Sequence, residues 1–270
     1  MTSSSQVSYL KSSADEMDRP LARPRRRRWL WIGAGAAVAA GVVAGIVWML
    51  PAAHSIAVKA SETQVATVLT MITVDPDDPA FARPTKFVGP VYQQDAADTL
   101  AAKKGWAFRP DGTGWRRVVP SPEPRQILEI KPISWLLEHG TVVICAGGGG
   151  IPTVHPTSDP DALAGVEAVI DKDLASELLA EDVGADLFLM ATDVDGVYLN
   201  WGTPEQRRLD RITPGELASH QFAAGSMGPK VEAAARFVAK TGHRAAIGSL
   251  ADIPGIVAGT AGTNVIAQPS

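Results

Sequence analysis

From residue 65 onward, short apolar runs rich in β-branched residues alternate with stretches of helical spacing, and one much longer apolar run precedes them. Residues 65–74 (Val-Ala-Thr-Val-Leu-Thr-Met-Ile-Thr-Val) read as a strand. Asp75-Pro76-Asp77-Asp78-Pro79 ends it, because proline has no amide to give to a ladder. Residues 141–146 and 187–191 are continuous apolar runs of the kind buried on both faces, and 244–248 and 263–267 read as closing strands. Leu174, Leu178 and Leu179 recur at helical spacing over 171–182, behind an acidic first turn. Val231, Ala234, Ala235 and Val238 share one face over 229–241, with Gly242 placed as a C-cap. Thr213-Pro214-Gly215-Glu216 has the form of a capping box with proline at the first helical position. The alternation predicts the α/β class, a three-layer α/β/α sandwich with a mainly parallel sheet covered on both faces.

The long run occupies residues 29–50 and contains neither a charge nor a proline. As a helix it reaches about 33 Å, against a hydrocarbon core of about 30 Å. Trp29, Trp31 and Trp48 lie near its ends, and Arg25, Arg26, Arg27 and Arg28 immediately precede it. The positive-inside rule then places the N-terminus in the cytoplasm and the rest of the chain outside. A cleaved signal peptide competes, but it would have a shorter apolar core, and Pro51-Ala52-Ala53-His54-Ser55 is a poor cleavage site. The expected organisation is a basic, disordered tail (1–28), a transmembrane helix (29–50), a linker (51–64) and an α/β domain (65–270). The protein is thus expected in a membrane through a single pass.

Charge sharpens this division. The net charge of −4 separates into +4 over residues 1–64 and −8 over residues 65–270. A domain this acidic does not suit general nucleic-acid binding. The lone cysteine, Cys145, excludes an internal disulfide, and its apolar setting reads as an inert strand thiol. No Cys/His cluster has metal-ligand spacing, so no protein metal site is expected.

Candidate chemistry gathers at the ends of the expected strands, where open α/β sheets bind ligands. Gly147, Gly148, Gly149 and Gly150 follow one strand, and such a run lets a backbone approach an anion closely. A tight turn competes as an explanation, but four glycines in a row exceed what a turn requires. Lys172 and Asp173 open the helix over 171–182. A lysine there opposes the helix dipole and so suits an anion better than it suits the helix. Asp171 or Asp173 also reads as an N-cap. Residues 225–230 (Gly-Ser-Met-Gly-Pro-Lys) deliver a second lysine, Lys230, to a helix start, where free amides and an ammonium form a phosphate site. Thr192-Asp193-Val194-Asp195-Gly196-Val197-Tyr198 runs from strand to loop in a way that suits a nucleotide. No Walker loop or protein-kinase glycine loop occurs. These residues alone describe an anion-handling α/β enzyme.

Taken in order, several segments resemble carbamate kinases of the amino-acid kinase family. They are Val74 with Asp-Pro-Asp-Asp-Pro-Ala-Phe, Pro84-Thr85-Lys86, Gly-Trp-Arg-Arg-Val-Val-Pro-Ser-Pro at 114–122, and the four glycines with Ile151-Pro152. Residues 166–173, 192–198 and 225–230 complete the set. The resemblance implies an amino-acid kinase-like fold and phosphoryl transfer between ATP and carbamate, giving carbamoyl phosphate and ADP, as in arginine breakdown. It implies Lys86 in an excursion that closes over the site, and Lys172 and Asp173 at the catalytic centre. Lys230 would hold nucleotide phosphates, Asp193, Asp195, Gly196 and Tyr198 would border the nucleotide, and the glycines would face the substrate. ATP or ADP, a bridging Mg²⁺, a small carbamate or carbamoyl phosphate substrate, a tendency to homodimerise and a cytoplasmic setting belong to the same implication. The family's opening Gly-Gly-Asn-Ala loop and its His-Gly-Asn-Gly-Pro loop do not occur. The expectation is a kinase-like domain lacking its front, joined to an unrelated anchor, with exposed apolar edges and a half-built site. An inactive, membrane-tethered remnant is the alternative function.

Overall fold

A computed structural model describes residues 63–156, 159, 161–222 and 226–268. The expected tail, membrane helix and nearly all of the linker lie outside them, as does Gly225. No helix among the described residues is long and apolar enough to cross a membrane.

The chain opens with β1 (Val65–Thr67) and β2 (Met71–Val74), followed by α1 (Pro79–Ala82). An excursion follows: β3 (Lys86–Tyr92), α2 (Gln94–Lys104), β4 (Ala107–Asp111) and β5 (Gly114–Val119). Then come β6 (Pro124–Ile127), α3 (Ile130–Glu138), β7 (Val142–Ile144), β8 (Ile151–Val154), β9 (Ala164–Gly165) and α4 (Lys172–Asp182). The rear half holds β10 (Leu187–Thr192), β11 (Val197–Leu199), β12 (Arg207–Leu209), β13 (Arg211–Ile212), α5 (Pro214–Leu217) and α6 (Met227–Thr241). It closes with β14 (Arg244–Ser249), α7 (Ile253–Ala258) and β15 (Thr263–Val265).

Helix ends follow the capping chemistry of the sequence. Asp171 caps α4 by accepting from the Asp173 amide, and Thr213 and Glu216 form the reciprocal capping box of α5. Gly242 ends α6 in the left-handed conformation, at φ 73°. Asp78 caps α1 through the Ala80 amide, with Pro79 in the first turn.

The sheets are mixed, where the sequence suggested mainly parallel ones. Two four-stranded sheets have the orders β6-β2-β8-β9 and β10-β14-β15-β13. β2 with β8, β10 with β14, and β13 with β15 run parallel. β2 with β6, β8 with β9, and β14 with β15 run antiparallel. β15 is buried along its whole length yet antiparallel to β14. Burial on both faces therefore marks a central strand without setting its direction.

The expected strand over 65–74 breaks in two. The buried Thr70 hydroxyl donates to the Val68 carbonyl and accepts from the Ala146 amide, so a side chain takes the place of a ladder contact. β1 pairs in parallel with β7, while β2 joins the β6–β8 sheet. The β7 run also departs from its expected burial on both faces. Val142 and Ile144 are 44% and 55% exposed, and Val65 and Leu69 are 61% and 76% exposed. These form an open apolar edge.

Two apolar cores result. One packs Ile72, Ile127, Ile133, Ile170 and Ala175; the other packs Phe188, Phe237, Ile247, Val265 and Ala180. Helix α4 contributes Ala175 to the first and Ala180 to the second. The helix is thereby packed into both cores, Ala175 near its start and Ala180 near its end.

Candidate active site

A cavity of about 660 Å³ opens at the N-terminus of α4. Three lysines reach it from three elements: Lys86 from the start of β3, Lys172 from α4 and Lys230 from the first turns of α6. Lys230 Nζ donates to both oxygens of Asp173, at 3.1 and 2.9 Å. That pair is nearly buried, with side chains 12% and 9% exposed. Lys172 Nζ lies 3.8 Å from Asp173 Oδ2, with its side chain largely in solvent. Asp173 therefore gathers two ammonium groups at the cavity.

Lys86 is held by a different carboxylate. Its Nζ pairs with Asp171 Oδ2 at 2.5 Å, while Asp171 Oδ1 accepts from the Asp173 amide at 2.9 Å. Burial raises the Asp171 carboxyl. The Lys86 hydrogen bond and charge and the Asp173 amide together outweigh it and hold the group below the usual aspartate range.

More of the lining comes from the end of β10 and the segment after it. Thr192, Asp193 and Gly196 line the cavity, and the Thr192 hydroxyl donates to Asp193 Oδ1 at 3.0 Å. Tyr198 lines it too, with its hydroxyl donating to Asp195 Oδ1 at 2.8 Å. That bond and the Arg208 guanidinium hold Asp195 low, while the same bond and the Asp195 charge raise the Tyr198 phenol against the pull of Arg208. Asp195 thus stands behind the wall and orients Tyr198. At Gly196 a Cβ would come 2.9 Å from Thr263 Oγ1 and 3.2 Å from the Arg208 side chain, so this wall requires glycine.

The four glycines are not brought to this cavity. Gly147, Gly148 and Gly150 line a separate one of about 460 Å³, beside Leu69 and Ile144. Gly149, at φ 130°, lies so close to Ile170 that a Cβ would stand 2.3 Å from that residue's carbonyl oxygen. A Cβ on Gly150 would stand 2.7 Å from the Ile72 side chain. The turn therefore packs behind the residue that precedes Asp171, which gives two of the glycines a structural reason. Cys145 is half-buried beside it, and burial holds its thiol above the ordinary range.

Sequence reading missed the aromatic rim. Trp201 lines the cavity and packs edge-on to Tyr198 at 5.1 Å, with Phe222, Gln221 and Met227 nearby in the lining. The signal was present in the spacing Tyr198-x-x-Trp201 after a turn-rich segment, but one exposed tryptophan in a loop carries little weight alone. It also missed the second task of Asp171, because a contact 85 residues apart leaves no local trace.

A family model described as the amino acid kinase family matches residues 80–249. The chain belongs to the amino-acid kinase family. Among its relatives there, the carbamate kinase of Rhizobium meliloti is 57% identical over 202 residues, which are 75% of this chain and 62% of that protein. The carbamate kinase of Haemophilus influenzae is 53% identical over 204 residues, covering 76% and 65%. This amino-acid kinase chain thus spans 62% to 65% of the length of those two relatives. A solved carbamate kinase from Giardia lamblia bound to AMP-PNP is 35% identical with a TM-score of 0.70, covering 97% of this chain and 82% of that one.

Proposed function

We propose that this chain carries the nucleotide side of a carbamate kinase site and transfers a phosphoryl group between ATP and carbamate. The convergence of Lys86, Lys172 and Lys230 on one cavity, with Asp173 between two of them, carries the reading. In this reading the nucleotide's phosphates lie among the lysines, and its base lies toward Tyr198 and Trp201. A carbamate oxygen attacks the γ-phosphorus, the bond to the bridging oxygen breaks, and ADP leaves with that oxygen. The lysines neutralise charge on the transferring group, and Asp173 keeps two of them in place before substrate arrives. This direct transfer needs no covalent intermediate on the protein.

Magnesium has no protein cage here. Among the described residues no cluster of three His, Cys, Asp or Glu side chains could hold a cation, and Lys230 engages both Asp173 oxygens. Mg²⁺ would therefore arrive on the nucleotide's phosphates, and no step above depends on a protein ligand for it.

A second reading is favoured by the open apolar edge of β1 and β7, which adjoins the glycine turn. In it the chain binds nucleotide without turnover. The purified full chain separates the two. ATP formation from carbamoyl phosphate and ADP, abolished by Lys230→Ala, supports the kinase. ADP-dependent change in Trp201 fluorescence, lost in Trp201→Phe, together with no ATP formation, supports the binding-only reading. Turnover unaffected by Lys230→Ala would remove the proposed site altogether.

A further inference from the structure

We propose that Asp171 is a positioning residue, whose carboxylate sets the Lys86 ammonium at the cavity and couples the excursion of residues 86–119 to the helix carrying Lys172 and Asp173. The inference rests on the phosphotransfer reading of the cavity and adds to it a lining residue whose carboxylate acts through Lys86. Its two oxygens face different elements. Oδ2 takes the Lys86 ammonium, and Oδ1 takes the Asp173 amide in the first turn of α4. One side chain therefore fixes a cation on the excursion and the backbone of the central aspartate.

Three further observations make the coupling specific. Lys86 stands opposite Val119 in the β3–β5 ladder, at the root where both strands of the excursion leave the body. Restraining Lys86 restrains that root. The polar contacts from β5 and the residue after it to the 164–170 segment include the Val169 amide donating to the Pro120 carbonyl at 2.9 Å, and Arg117 with Glu167 at 3.1 Å. Glu167 is 88% exposed, so that second pair adds little. The Asp171 side chain is 11% exposed. Finally, the base of Asp171 is itself fixed. Ile170 is buried, and its carbonyl lies against the glycine turn so closely that only glycine fits at 149.

The plainer explanation is an ordinary N-cap with an incidental ion pair. Asparagine distinguishes them, because it caps a helix about as well as aspartate but carries no charge for Lys86. In the full chain, Asp171→Asn is expected to lower kcat by about 10- to 100-fold, the cost of a misplaced catalytic group, with the ADP KM within about threefold. In a Lys86→Met background the same change is expected to have no further effect, within about twofold, because its partner is gone. Losses that multiply in the double variant would overturn the proposal, as would a kcat unchanged in Asp171→Asn.

A second readout does not need turnover. Hydrogen exchange at residues 86–92 is expected to accelerate in Asp171→Asn, while the first turn of α4 keeps its wild-type rates. Unchanged exchange at 86–92, or acceleration confined to α4, would also overturn it. If the wild-type chain forms no ATP, the kinase reading fails on that result, and the exchange comparison still decides the role of Asp171.

Discussion

Replacing Lys230 with methionine tests whether the Lys230–Asp173 pair is as consequential for the fold as its burial implies. At 2.9 Å and an effective dielectric of ~20, the attraction within the pair is roughly 6 kcal/mol. Methionine fills most of the same volume, so the loss is electrostatic rather than a cavity. Asp173 then remains 9% exposed with its nearest cation removed. Breaking a buried pair from one side costs about 3–5 kcal/mol, and Lys172 at 3.8 Å recovers part of that from its solvated position. The expected loss is about 3 kcal/mol. For a chain of this size it corresponds to a thermal midpoint lower by roughly 6–12 °C. Adding Asp173→Asn removes the stranded charge, so the double variant should return to within about 1 kcal/mol of wild type. Urea and thermal unfolding followed by circular dichroism would measure all four members of the cycle. A single-variant loss under about 1 kcal/mol, or a double variant less stable than Lys230→Met, would refute the reasoning.

Two further outcomes follow from contacts around the same helix. Gly149→Ala should destabilise by about 3 kcal/mol, since the new Cβ meets the Ile170 carbonyl in a backbone region closed to L-residues. Gly148→Ala, with open space and no positive φ, should stay within ~0.5 kcal/mol, and equal effects at the two positions in urea unfolding would contradict the packing described. Acid unfolding should also register Asp171: its carboxyl is held low in the fold, so the unfolded chain takes up the proton first. Its contribution is complete above the ordinary value of about 3.9 and is lost as pH falls through the folded value. The stability gap between wild type and Asp171→Asn should therefore narrow below about pH 4, and a gap that widens there would sink the assignment.

How much of this was legible in the sequence depends on how local the governing interactions are. The caps of α4, α5 and α6 are readable because Asp171, Thr213 with Glu216, and Gly242 act on amides and carbonyls within a few residues. Lys172 and Lys230 were legible for a related reason: a cation at a helix start is locally unfavourable and so stands out, whereas Lys86 begins a strand and came only from the family resemblance. Strand direction was not legible, because β15 buries every residue whether its neighbour runs with it or against it. The break at Thr70 was hidden as well, since its hydroxyl satisfies an amide 76 residues away. Four glycines announce a close approach, and the approach at Gly149 is to the chain's own carbonyl.

The apolar edge formed by β1 and β7 affects how the molecule must be measured. Val65, Leu69, Val142 and Ile144 form a surface that water disfavours, on or beside a two-stranded parallel sheet. A molecule that covered that surface in the folded form alone would raise stability in proportion to the logarithm of its concentration. The unfolding free energy of this chain would then be a function of what surrounds it. A midpoint quoted without the protein concentration would describe the solution as much as the fold.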